Sequence, residues 1–120
     1  MHKKQILIIE DDTAISELLC DTLTDEGYEV QAAANGRQGL LLLARWSPAL
    51  IICDVMMPLV DGREVARQWQ RTPAYHAIPL IMMSAAHEWR ETDITPSLFL
   101  RKPFTLDEVL LAVERLINRA

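Results

Sequence analysis

Short apolar runs alternate with amphipathic stretches along the chain, and this alternation constrains the fold more than any other feature. Uninterrupted runs of branched and long aliphatic residues are typical of strands buried on both faces of a parallel sheet. Five segments have this character, or a weaker form of it: 6–9, 28–33, 50–53, 80–83 and 98–100. Between them lie stretches with apolar residues at helical spacing, such as Ile15, Leu18, Leu19 and Leu23.

Five successive βα units restrict the topology to a few arrangements. Right-handed crossovers place the strands in a mostly parallel sheet with helices on both faces. We therefore expect an α/β fold, namely a flavodoxin-like, doubly wound five-stranded parallel sheet in a three-layer αβα sandwich with strand order 2-1-3-4-5. Asp12 or Thr13 can cap the first helix, which ends at Gly27, and Thr105 with Glu108 forms a capping box for the last helix.

The length and charge of the chain exclude several classes of protein. From 120 residues we expect a single domain over residues 1–120, without a separate effector domain. A formal net charge of −5 argues against general nucleic-acid binding, and no apolar run is long enough to span a bilayer. The amino-terminus lacks a signal-peptide pattern, and Cys20 and Cys53 have no metal-ligand or CxxC spacing. These features predict a cytoplasmic protein with reduced thiols.

Polar residues able to do chemistry stand at the ends of the predicted strands. Glu10 and Asp11 follow the first strand, Asp54 follows the third, Ser84 follows the fourth, and Lys102 lies just beyond the fifth. Because ligands bind beyond the carboxyl ends of the strands in doubly wound sheets, we expect these side chains to converge. Three converging carboxylates favour a bound Mg²⁺, and the lysine and the hydroxyl suit a phosphoryl group.

Each of these residues also has a simpler interpretation. The acids at 10–12 can cap the next helix, Asp54 can be a turn residue, Ser84 can be another helix cap, and Lys102 can be a solvated surface lysine. Their occurrence together at successive strand ends favours a functional site over four independent accidents.

Four segments together resemble the receiver domains of two-component response regulators, and the resemblance covers essentially the whole chain. These segments are 6–12 (ILIIEDD), 50–62 (LIICDVMMPLVDG), 81–85 (IMMSA) and 102–104 (KPF). The resemblance implies a phosphorylation-dependent signalling switch in a His-to-Asp phosphorelay. Such a protein is not an enzyme in the conventional sense, although it catalyses Mg²⁺-dependent phosphoryl transfer to its own aspartate.

The resemblance also assigns roles to the acidic residues. Asp54 would accept the phosphoryl group from a sensor histidine kinase or a phosphotransfer protein. Asp11 and Asp54 would bind Mg²⁺ directly, with Mn²⁺ as a substitute. Glu10 would act through a bound water, and the backbone carbonyl of Met56 would supply a further ligand.

On the phosphoryl side, the resemblance implies a hydrogen bond from Ser84 to the phosphoryl group and an ion pair between that group and Lys102. Phe99, three residues before Lys102, stands where the family has its aromatic switch residue. Output would pass to a downstream effector protein or domain, with a homodimer as one option. The domain itself would bind neither nucleic acid nor a membrane.

The chain departs from the family pattern between the fourth and fifth strands. Residues 94–97 (ITPS) replace the usual small-residue and acidic turn, and Pro96 cannot continue a helix. We therefore expect the fourth helix of the family pattern, within residues 85–97, to be short, irregular or absent. Output would then use another surface, or one remodelled around Trp89.

Two further patterns flank the predicted site. Met56 and Ala86 follow the predicted phosphoacceptor and the serine by two residues, and neither can readily position a hydrolytic water, which predicts a long-lived phosphoryl aspartate. Arg63, Arg67 and Arg71 recur every four residues and are interpreted as a solvated helix face, with a docking strip as the alternative.

Three other functions are compatible with parts of the pattern. A phosphatase of the haloacid dehalogenase kind also places an acid after a buried strand, but it needs a second acid where Met56 stands. A flavin or dinucleotide binder needs a phosphate-binding loop where the chain has the acids of residues 10–12. A receiver-like scaffold that is never phosphorylated is the third alternative.

Overall fold

Most strands are followed by a helix along the described chain, which confirms the predicted α/β class. The computed structural model describes residues 3–57, 59–85, 89 and 94–118. The strands are β1 (Gln5–Ile9), β2 (Glu29–Ala33), β3 (Leu50–Asp54), β4 (Leu80–Ser84) and β5 (Leu98–Arg101). The described residues form helices α1 (Thr13–Asp25), α2 (Gly36–Leu43), α3 (Gly62–Arg71), α4 (Pro73–His76) and α5 (Leu106–Ile117).

The five strands form one parallel sheet in the predicted order β2-β1-β3-β4-β5. In the register of this sheet, Ile9 of β1 lies beside Cys53 of β3, and Asp54 of β3 lies beside Met83 of β4. The carboxyl ends of β1, β3 and β4 therefore meet at one edge of the sheet.

Alternating side chains of the central strands fill two apolar layers, one on each face of the sheet. In β1, Leu7 and Ile9 pack into one layer and Ile6 and Ile8 pack into the other, and all four are fully buried. Helices α2 and α3 contribute to the first layer, whereas α1 and α5 contribute to the second. This arrangement confirms the three-layer αβα sandwich and explains why the strand sequences are continuously apolar.

The helix ends follow the local sequence signals. Asp12, rather than Thr13, caps α1, because its Oδ1 accepts a hydrogen bond from the amide of Ile15 at 3.0 Å. Gly27 follows this helix with a φ of 96°, a conformation that glycine adopts at little cost. At α5 the Thr105–Glu108 capping box is present in both directions.

The connection between α3 and β4 contains a helix that the sequence did not predict. Helix α4 has four residues, with Pro73 in its first turn, and a segment of that length is too short to show a helical period. The predicted fourth helix between β4 and β5 lies mostly outside the described residues. Within that region, Trp89 and Ile94 pack against the apolar layer that contains α2 and α3. None of the described helices has both the length and the hydropathy needed to cross a membrane.

Candidate functional site

Three acidic side chains converge at the carboxyl edge of the sheet. One carboxylate oxygen from each of Glu10, Asp11 and Asp54 lies within 4.8 Å of the other two. Glu10 directly follows Ile9, the last residue of β1, whereas Asp54 is itself the last residue of β3. Because β1 and β3 are hydrogen-bonded neighbours, the structure brings these acids to one place.

Lys102 supplies a positive charge to this acidic cluster. Its Nζ lies 2.9 Å from Oδ1 of Asp54 and 3.6 Å from Oε1 of Glu10. The backbone amide of Lys102 donates to the carbonyl of Ser84 at 2.8 Å, so the ladder between β4 and β5 continues up to the lysine. The following peptide bond, to Pro103, is cis.

The site is buried at its base and open on one side. Glu10 and Asp54 are only 2% and 3% exposed, whereas Asp11 is exposed to solvent. Asp54 is therefore almost completely shielded from solvent, and Asp11 is the exposed acid of the cluster.

The environment of the site shifts the pKa values of Glu10 and Lys102. Burial raises the pKa of Glu10 to about 7, and the negative charge of Asp54 adds to this effect, while the Asp12 amide (3.1 Å from Oε2) and Lys102 oppose it. Burial lowers the pKa of Lys102, but the hydrogen bond and charge of Asp54, together with Glu10, outweigh it and raise that pKa. Lys102 is therefore charged at neutral pH, whereas Glu10 is partly protonated.

The donor set fits a divalent cation with a preference for oxygen ligands. Oε1 of Glu10 is buried and accepts no hydrogen bond from the described part of the chain, although the Lys102 ammonium lies at 3.6 Å. Buried carboxylate oxygens in this condition are normally compensated by a bound cation or by protonation. Three carboxylates with oxygens this close together can bind one Mg²⁺ ion, which prefers oxygen ligands.

The remaining predicted site residues are not members of this acidic cluster. Ser84 is the last residue of β4, is 1% exposed, and donates its hydroxyl proton to the carbonyl of Ala85 at 2.7 Å. Met56, two residues beyond Asp54, is half-exposed. Phe99 lies on β5 beside Met82 and not at the acidic cluster, and its ring is 39% exposed.

Phe99 is in contact with an aromatic residue of the region that departs from the family pattern. The rings of Phe99 and Trp89 meet edge to face, with their centroids 5.5 Å apart. Trp89 also packs against the apolar layer that contains α2 and α3. The predicted switch residue is thus connected to the core through Trp89.

Two residues that support the site were not predicted from the sequence to do so. Gly62, the first residue of α3, donates its amide to the carbonyl of Val55 at 2.8 Å, and a Cβ at Gly62 would collide with the carbonyl oxygen of Asp54. An Asp-Gly pair, as at 61–62, is typical of a turn and does not by itself predict this contact. Arg63, interpreted as part of a solvated face, instead contacts Asp61 and Met56 within the β3–α3 loop.

Comparisons with known proteins place the chain in a family. Residues 6–114 match the family model of the response regulator receiver domain. The DNA-binding dual master transcriptional regulator RpaA of Synechocystis is 37% identical over 96% of this chain and 49% of its own length. The response regulator MprA of Mycolicibacterium vanbaalenii is 36% identical over 96% of this chain and 51% of its own length. The chain thus spans about half the length of the curated relatives it matches.

Solved structures with the same fold include another receiver domain. The signal receiver domain of a signal transduction histidine kinase from Syntrophus aciditrophicus superposes with a TM-score of 0.87 at 28% identity, covering 98% of this chain and 94% of that one. Together with the family match, this similarity decides the assignment. The chain belongs to the response regulator receiver domains of two-component systems.

Proposed function

We propose that Asp54 accepts a phosphoryl group from the phosphohistidine of a sensor histidine kinase or a phosphotransfer protein, in a Mg²⁺-dependent reaction. The observation that carries this proposal is the Asp54 carboxylate, which is 3% exposed, ends a central strand and lies 2.9 Å from the Lys102 ammonium beside two further acids. Glu10 also belongs to the acidic cluster and contacts Lys102, but at 3.6 Å, so Asp54 has the closer lysine contact.

The chemistry needs alignment and charge compensation more than acid–base catalysis. A carboxylate oxygen of Asp54 attacks phosphorus, the phosphorus–nitrogen bond of the donor histidine breaks, and its electron pair stays on the imidazole. Lys102 already lies within 2.9 Å of this carboxylate, so its ammonium can follow the phosphoryl oxygens as they arrive. Ser84 can give its hydroxyl hydrogen bond to a phosphoryl oxygen in place of the Ala85 carbonyl.

The acidic residues of the cluster have a separate role in this proposal. Asp11 and Asp54 would hold Mg²⁺ directly, Glu10 would act through a bound water, and the backbone carbonyl of Met56 would complete the protein ligands. A magnesium ion bound there supplies positive charge for the phosphoryl oxygens. Mn²⁺ has similar preferences for oxygen ligands and is proposed as a substitute.

Phosphorylation would change the surface near Phe99. A phosphoryl group adds charge and strong acceptors next to Ser84, so it competes with the Ala85 carbonyl for the serine hydroxyl. A shift of that segment alters the space around Phe99, which is half-exposed and packed against Trp89. The shift in population can only be as large as the difference in how the two states hold the phosphoryl group.

The altered surface would be recognised by a downstream effector protein or domain. Homodimerisation is a second outcome of the same change. A cytoplasmic location is part of this proposal, because the kinases of two-component systems deliver their phosphoryl groups there. The net charge of −5 is consistent with a domain that does not itself bind nucleic acid.

Labelling by a small phosphodonor tests the proposal directly. The protein is incubated with Mg²⁺ and acetyl phosphate, and intact-mass spectrometry counts added phosphoryl groups. We expect one group on the wild type, none on Asp54→Asn or in excess chelator, and one on the control Asp107→Asn, which removes an exposed acid on α5. Thermal unfolding verifies that both variants are folded. Labelling of Asp54→Asn, or a wild type that no phosphodonor labels, would refute the assignment.

A further inference from the structure

An aromatic pair of Trp89 and Phe99 lies beside β5, an edge strand of the sheet. The two ring centroids are 5.5 Å apart and the ring planes are inclined at 65°, which is the edge-to-face arrangement that aromatic rings favour. Phe99 is 39% exposed, whereas Trp89 is partly buried. The contact is therefore made in a state in which the Phe99 ring is only half-covered.

The two members of the aromatic pair are held in different ways. Trp89 packs against the apolar layer to which α2 and α3 contribute, and Ile94, from the same connection between β4 and β5, is 4% exposed within that layer. Phe99 is fixed by its backbone in β5, but its half-exposed ring has room to turn on the solvent side. Because Trp89 is packed on the core, it offers the Phe99 ring a fixed partner in one of the positions open to that ring.

Phe99 and Ser84 lie on the same face of neighbouring strands. Met82 of β4 belongs to the apolar layer of α2 and α3, and Ser84, two residues further along β4, lies on the same face. Phe99 is beside Met82 in the register of β4 and β5. The Ser84 hydroxyl donates to the carbonyl of Ala85 at 2.7 Å, and the proposed phosphorylation gives it a phosphoryl acceptor instead. The proposed change therefore begins on the face of the sheet that carries Phe99.

We propose that the aromatic pair is an autoinhibitory contact: Trp89 holds Phe99 in its half-exposed position and thereby opposes the rearrangement that phosphorylation of Asp54 produces. The inference rests on the proposed phosphorylation and on the proposed response of Phe99 to it. The free protein divides between a paired state, with the two rings in contact, and a released state, in which Phe99 has left Trp89. A phosphoryl group that is bound better by the released state has to shift this balance against the ring contact. Loss of one edge-to-face contact changes such a balance about fivefold.

Trp46 offers a matched control for Trp89. It is also partly buried and packs against the same apolar layer. Its Nε1 donates to Oε1 of Gln5 at 3.0 Å, and Gln5 is the first residue of β1. Trp46 therefore lies at the amino edge of the sheet, whereas Asp54 ends β3 at the carboxyl edge. Removal of either indole takes a similar area of packing from the core, but the ring contact with Phe99 is recorded for Trp89.

The affinity for a phosphoryl analogue tests the proposed autoinhibition. Beryllium trifluoride with Mg²⁺ is the probe, because it coordinates a carboxylate oxygen in the tetrahedral geometry of a phosphoryl group and dissociates reversibly. Isothermal titration calorimetry gives its apparent Kd. The paired state is the one in the structure, so we expect Trp89→Leu to bind the probe about fivefold more tightly than the wild type, since more of the free variant is in the released state. Trp46→Leu should bind it like the wild type. General damage to the fold would weaken binding, so a gain in affinity is specific to release of the contact.

A double variant tests whether Trp89 acts through Phe99. Phe99→Leu leaves Trp89 without a ring to hold, so Phe99→Leu combined with Trp89→Leu should bind the probe like Phe99→Leu alone. Unchanged or weaker binding by Trp89→Leu, an equal gain in Trp46→Leu, or a further gain in the double variant would each overturn the inference. A wild type that binds the probe with the same affinity as Trp89→Leu keeps the proposed function and overturns the autoinhibition. A wild type that neither binds the probe nor takes up a phosphoryl group overturns the proposed function, and this inference with it.

A fluorine label follows the aromatic pair in the full chain without removing it. The chain has three tryptophans, so labelling with 5-fluorotryptophan gives three ¹⁹F resonances, which the conservative variants Trp89→Phe and Trp46→Phe assign. We expect beryllium trifluoride with Mg²⁺ to move the Trp89 resonance and to leave the Trp46 resonance in place. A Trp89 resonance that stays in place at saturating probe would overturn the inference, even if Trp89→Leu does not fold.

Discussion

Replacing Glu10 by glutamine should change how the stability of the protein depends on pH. The Glu10 carboxyl is 2% exposed, and burial together with the charge of Asp54 raises its pKa from 4.5 to about 7. The glutamine side chain has nearly the same shape and no ionisation in this range. The variant therefore removes one titration from the folded protein with little change in packing.

The sign of the effect follows from proton binding in the two states. Between about pH 5 and pH 7 the unfolded chain has released the Glu10 proton, whereas the folded protein still holds it, so the free energy of unfolding of the wild type falls as the pH rises. Above about pH 7 both states are ionised and the fall stops. At about 1.4 kcal/mol per pKa unit, a shift of this size makes the total loss roughly 3 kcal/mol.

Urea denaturation at a series of pH values, without divalent metal, measures this loss. The difference in unfolding free energy between Glu10→Gln and wild type should grow in favour of the variant from about pH 5 to about pH 8. The control Glu17→Gln removes an exposed acid of α1 and should show no such growth. Added Mg²⁺ should reduce this difference in unfolding free energy at about pH 8, because a bound cation would compensate the Glu10 charge of the wild type. Parallel curves for Glu10→Gln and wild type would refute the account of the Glu10 environment.

Three further substitutions and one control variant test other parts of the chain by urea denaturation. Lys102→Met leaves two buried carboxylates without their ammonium and should lower the unfolding free energy by about 3 kcal/mol at about pH 8; no loss would show that the lysine contact is not stabilising. Gly62→Ala should lower the unfolding free energy by about 3 kcal/mol, because its methyl group meets the carbonyl of Asp54. The control Gly27→Ala, in open space at positive φ, should lower the unfolding free energy by about 1 kcal/mol. Equal losses for the two variants would contradict the predicted clash at Gly62. Leu59 has a φ of 65°, which strains a residue with a Cβ, and its side chain is 77% exposed. Leu59→Gly should therefore raise the unfolding free energy by about 1 kcal/mol. A lower unfolding free energy for this variant would exclude backbone strain at Leu59.

The parts of the fold that were predictable from the sequence are those fixed by burial and by local hydrogen bonds. The run 6–9 is apolar at every position because it is covered on both faces, and 50–53 and 80–83 share that environment. Asp12 and Thr105 identified helix starts because their side chains accept amide hydrogen bonds within three residues. The number and handedness of the βα units restricted the strand order to a few arrangements, and the flavodoxin-like order predicted among them is the observed one.

Features that depend on contacts between distant side chains could not be predicted in this way. A recurrence of arginines every four residues indicates a helix face, but not that Arg63 reaches back to Met56. The Asp-Gly pair indicates a turn, but not that Gly62 packs against the carbonyl of Asp54. The family assignment sets aside the phosphatase and dinucleotide-binding alternatives. The labelling experiment tests the third alternative, a scaffold that is never phosphorylated.

The charges of the site are compatible with both the proposed metal binding and the proposed phosphoryl transfer. When all its groups are ionised, the cluster has three carboxylates and one ammonium in a largely buried volume. This imbalance is costly, and the raised pKa of Glu10 shows how the protein without metal relieves it, by keeping a proton near neutral pH. A divalent cation held by Glu10, Asp11 and Asp54 would supply the same compensation and would favour loss of that proton, so the site would be close to neutral. Without the metal, the negative charge of the acids would repel a phosphoryl group. With the charge compensated, Asp54 could accept one.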